Sequence, residues 1–85
     1  MVNKIKEVVF RVDIRESKIG NDRRIAIEEF DTLEKAELFC KATTYTLSDS
    51  SRHINISGAV IAVEKLEGGF ENYKTMFVYL NGVKV

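Results

Sequence analysis

Only one segment of this chain, Thr32 to Leu47, repeats its apolar residues at the spacing of an α-helix, and the segments on either side read as strands, alternating before it and a short apolar run after it. An 85-residue chain with one helix to spend has a narrow choice of architectures. The helix must cover one face of a sheet in a two-layer domain.

At about 100° per residue, Leu33, Ala36, Phe39, Cys40, Thr43 and Leu47 fall on one helical face, which is the stripe expected to enter the core. Asp31 stands at the N-cap position with Glu34 three residues later, the spacing of a capping box, and the polar run Ser48 to Arg52 ends the helix.

Before the helix, Val8 to Arg15 alternates Val8, Phe10, Val12 and Ile14 against Val9, Arg11, Asp13 and Arg15, the pattern of a half-buried strand. Arg24 to Phe30 repeats that period, with Ile25 and Ile27 opposed to Arg24, Ala26 and Glu28, and Gly20-Asn21-Asp22 between them predicts a hairpin. After the helix, Gly58 to Val63 is a short apolar run and Tyr73 to Leu80 a second strand, joined through the Gly68-Gly69 turn. Asn81-Gly82 has the composition of a two-residue type I′ turn, so the last three residues are expected to fold back as a short edge strand. The predicted fold is α+β: ββαββ, one helix packed on one face of a four-stranded, mainly antiparallel sheet with that short C-terminal addition.

Composition narrows the function classes. The length suits one domain, residues 1–85, with one core. Thirteen basic residues balance 13 acidic ones, so no overall charge draws the chain to nucleic acid or an anionic membrane. The single cysteine suits a reducing compartment. The residues Met1 to Glu7 contain no apolar run of signal-peptide length, and no stretch reaches the roughly 20 apolar residues of a membrane span. A cytoplasmic location without membrane attachment is the expectation.

Chemistry-bearing motifs are missing. No P-loop or dinucleotide fingerprint occurs, and the one glycine pair lies between two strands. His53 is the only histidine and reads as a solvated loop residue; Cys40, on the inner helical stripe, reads as a small buried apolar residue. Catalytic residues, metal ligands and a cofactor are therefore not expected.

Two surfaces remain. Residues 1–24 hold seven basic against four acidic side chains, and Arg11, Arg15, Arg23 and Arg24 would cluster on the first hairpin as phosphate contacts. A nucleic-acid-binding domain is the first alternative these residues raise. More weight falls on an excess of apolar surface. If Ala59, Ile61, Val63, Met76, Val78 and Leu80 face the helix, then Val60, Ala62, Leu66, Tyr73, Phe77 and Tyr79 look outward, and such a patch is typical of an interface. Leu38, Ala42 and Tyr45 add a smaller stripe at i, i+4 and i+7 on the helix side away from the core. The leading expectation is a non-enzymatic module that binds a protein partner or forms a homodimer centred on Phe77 and Tyr79, as a small regulator or inhibitor of the kind phages and mobile elements encode. A second alternative is a small ligand-binding or cofactor-independent enzyme domain with a pocket at a dimer interface, where Tyr73, Tyr79 and His53 would be the polar groups.

Overall fold

The computed structural model describes residues 5–18 and 21–85. Five strands, β1 (Ile5–Lys18), β2 (Asn21–Phe30), β3 (Asn55–Leu66), β4 (Glu71–Leu80) and β5 (Val83–Lys84), form one antiparallel sheet in the order β2-β1-β3-β4-β5. One helix, α1 (Leu33–Leu47), crosses from β2 to β3 and packs against the sheet. The fold is α+β as predicted, and the sheet has five strands rather than four. The fifth forms because Asn81 (φ 51°) and Gly82 (φ 87°) adopt the left-handed conformations a type I′ turn requires, after which Val85 N–H donates to Val78 O at 2.9 Å. Gly20, part of the predicted first turn, lies outside the described residues.

The helix starts one residue later than the capping-box spacing suggests. Thr32 is the cap: its backbone is extended and its hydroxyl accepts from Lys35 N–H at 3.2 Å. Asp31 instead receives the Lys35 ammonium at 3.0 Å. A lysine at the third helical position cannot return the reciprocal bond, so no capping box closes.

The core lies between α1 and the sheet and contains Val12 and Ile14 from β1, Ile56 and Val60 from β3, Tyr79 from β4, and Ala36 and Cys40 from the helix. Gly58 sits beneath the helix, and a Cβ there would lie 2.5 Å from Cys40 Sγ. At this point the backbone of β3 and the side chains of α1 are already in contact.

The expected facing of β3 and β4 is overturned. Val12, Val60 and Phe77 share one register row, and Val60 and Tyr79 are buried in the helix-side core with Phe77 packed against it. Ala62, opposite Phe10, is on the same side, and Leu66 continues that row. Ala59, Ile61, Val63, Val78 and Leu80 therefore face away from the helix. Two physical causes account for the reversal. First, the β3–β4 register shifts between Val60 and Ile61, leaving Met76 as an extra residue. This bulge places Tyr73 and Phe77 on opposite faces although they are four residues apart. Second, the sheet is longer than its helix: 14 residues of β1 extend to about 46 Å, whereas 15 residues of α1 rise only about 22 Å. Glu64 lies in the helix-side row but beyond the reach of α1, so its charge is no guide to the outer face.

A second bulge, at Ile25, has the same effect on β2. Ile25 turns toward the core, and Ile27, opposite Asp13, faces outward and is largely exposed.

Candidate functional site

Among the described residues no helix or strand lies over the outer face of the sheet, and that face is divided into a charged half and an apolar half. On the charged half, the Arg11 guanidinium bridges Glu29 of β2 and Glu71 of β4, with Nε at 2.9 Å from Glu29 Oε2 and Nη2 at 3.2 Å from Glu71 Oε2. Lys65 adds a bond of 2.8 Å to Glu29, Tyr73 Oη donates to Glu71 at 2.7 Å, and Arg11 lies 5.8 Å from the Tyr73 ring centroid. Beside this network Val9 and Val63, paired across β1 and β3, are buried.

These contacts hold both carboxyls below their ordinary range, Glu29 through Lys65 and then Arg11, and Glu71 through Arg11 and then Tyr73. A carboxylate whose folded pKa is depressed stabilises the fold above its unfolded value of about 4.3 and loses that contribution as pH falls through the lowered one. Melting temperature should therefore drop on acidification, and Arg11→Met should flatten part of that drop because Glu29 and Glu71 then titrate closer to normal. Melting curves of both proteins between about pH 2 and 7 check this; superimposable acid limbs would contradict it.

The other arginines proposed for phosphate are also occupied. Asp13 Oδ1 accepts from Arg24 Nε at 3.1 Å, Asp13 Oδ2 lies 3.4 Å from Arg15 Nη2, and Glu16 accepts from Arg23 at 3.2 Å. The structure brings Arg15 and Arg24 together on Asp13, whereas Arg11 is held separately by Glu29 and Glu71 and Arg23 by Glu16, so each has a carboxylate already in place. A phosphate would have to displace them.

On the apolar half, the register rows place Ala59 beside Val78, Ser57 beside Leu80, and Leu80 beside Val83. Ala59 and Ile61 are partly exposed; Val78 is 38% exposed, Leu80 43% and Val83 67%. Tyr73, placed outward by the sequence reading, is on this face and 63% exposed. The same reading missed Val78, Leu80 and Val83, because the Met76 bulge leaves no trace in composition.

Phe77 and Tyr79 are held under the chain's own elements. Tyr79 Oη donates to Glu37 Oε2 at 2.6 Å, which pushes the phenol up to about 12, and Lys84 reaches Glu37 at 3.0 Å while standing 3.9 Å over the Phe77 ring. Cys40 is fully buried; burial, with the Glu37 charge adding, pushes its thiol up to about 11. His53 is exposed with a left-handed backbone (φ 56°) after a short turn.

The helix stripe is brought together as its spacing implies. Leu38 and Tyr45 are 70% and 72% exposed, and with Lys41, Ala42 and Gly82 they line a groove of about 280 Å³. A neighbouring groove of about 300 Å³ is lined by Glu34, Glu37, Leu38, Lys41 and Tyr79. Among the described residues no helix is long and apolar enough to cross a membrane, and no three His, Cys, Asp or Glu side chains are grouped to hold a metal ion. Compared with family models, curated proteins and solved structures, the chain matches none.

Proposed function

We propose that this chain is a small non-enzymatic protein-binding module whose binding surface is the apolar half of the outer sheet face. The observation that carries the reading is the contiguous strip Ile61, Ala59, Val78, Leu80 and Val83, left open by the one helix, which covers the opposite face. Burying one such side chain fully is worth roughly 1.5–3 kcal/mol, so a partner that covers several gains enough for specific binding. The charged half beside it supplies a polar rim. Nucleic-acid binding has less support, because the arginines that would contact phosphate are ion-paired within the chain.

A photoreactive residue introduced at Thr75, which is exposed on this face, tests the reading in the cells that make the protein. Discrete protein adducts are expected from position 75, absent from the same probe at exposed Ser51, and lost when Val78→Glu is added. Equal labelling from both positions, or none from 75, argues against it. Tight duplex-DNA binding with a salt slope near −0.9 per neutralised phosphate would favour the arginine face instead.

A further inference from the structure

From a separate observation on α1, we propose that two copies of this chain associate through their helices, antiparallel about a two-fold axis beside Leu38, with Glu34 of each copy opposite Lys41 of the other. Two of the four charges on α1 are already matched: Lys35 is held by Asp31 at 3.0 Å, and Glu37 by Lys84 and by the Tyr79 hydroxyl. Among the described residues Glu34 and Lys41 have no ion-pair partner, and both are exposed. Glu34, Leu38, Lys41 and Tyr45 follow the i, i+4, i+7, i+11 line of the helix surface, directed away from the buried Ala36, Cys40 and Thr44.

Glu34 and Lys41 are separated by about 10 Å along the axis, too far to satisfy each other. Reversed on a second copy, the order carboxylate, leucine, ammonium becomes ammonium, leucine, carboxylate. The line is thus its own complement, which is the requirement of an isologous two-fold interface. The two grooves share Leu38 and Lys41, so each offers depth for the partner copy's leucine against walls made by Tyr79 and Gly82. One helix face is smaller than the roughly 800 Å² per partner of a standard interface. Association should be weak, with a dissociation constant on the order of 100 μM. Back-to-back helices leave both outer sheet faces free.

The test is sedimentation of the native protein, Glu34→Lys and Lys41→Glu from about 10 μM to 1 mM, each variant alone and the two mixed in equal amounts. The native chain should dimerise, each reversal should weaken the dimer about tenfold or more, and the mixture should recover native affinity because every new charge then meets its opposite. Both positions are exposed, so folding is retained and is checked by the melting curve. A native chain monomeric at the highest concentration, a dimer indifferent to either reversal, or a mixture no tighter than the single variants overturns the pairing. Val78→Glu separates this from the sheet-face reading: it should leave the equilibrium unchanged, and its dissolving the dimer would place self-association on the sheet.

Discussion

Gly58→Ala is expected to lower the melting temperature by roughly 5–20 °C, from an overpacking cost of about 1–3 kcal/mol in a domain of this size. The added methyl carbon would stand 2.5 Å from Cys40 Sγ, 2.9 Å from Ile14 Cδ1 and 2.9 Å from Thr44 Cγ2. All three side chains are fully buried, so none can swing into solvent and the helix itself has to lift. The usual benefit of replacing glycine in a strand, about 0.5–1 kcal/mol, is smaller than this cost. Adding Cys40→Ala removes the closest contact and should return part of the loss, whereas alone it should destabilise by vacating packed volume. Thermal melts of the two single variants and the double variant decide the matter. Unchanged melting for Gly58→Ala would mean that the helix does not rest on β3 at this point.

Thr44→Val should cost about 1–3 kcal/mol although it barely alters side-chain volume. Thr44 is buried, and its hydroxyl donates to Lys41 O at 3.2 Å and accepts the Gly82 N–H at 2.9 Å. Valine preserves the packing but strands that amide. The adjoining Asn81 side chain accepts from Ile56 N–H at 2.8 Å and donates to Asn55 at 2.9 Å, so the β4–β5 turn is tied to both the helix and the start of β3. Deuterium exchange at the Gly82 amide should accelerate about tenfold or more in Thr44→Val. Thr44→Ser should keep the amide protected while losing only the buried methyl group, at roughly 1 kcal/mol. Equal protection in all three proteins would show that the hydroxyl is not what fixes the turn.

Much of this architecture is written locally. The alternation through β1, the helix from Leu33 to Leu47 and the Asn81-Gly82 turn each depend on neighbours within a few residues, and each appears where the sequence places it, although on the helix Thr44 is buried rather than Thr43 and Leu47 is 46% exposed. The facing of β3 and β4 depends instead on the single residue inserted at Met76, which nothing in its composition marks. Pairing of the arginines was equally hidden: Arg11 meets Glu71 across 60 positions, a contact set by strand order. The candidate site inherits both limits. Its helix stripe could be read from i, i+4 and i+7 spacing, whereas the outward strip of Val78 and Leu80 required knowing the bulge.

A single helix on one face of the sheet makes the two sides of the domain respond oppositely to the same solvent. Under α1 cohesion is hydrophobic, and excluded salts such as sulfate strengthen it. On the outer face β2, β1, β3 and β4 are cross-linked by Arg11, Glu29, Lys65 and Glu71, ion pairs that a shortened Debye length weakens. Rising ionic strength therefore tightens the helix side of the sheet while loosening its outer face, and stability becomes a property of place within the fold as much as of the fold itself.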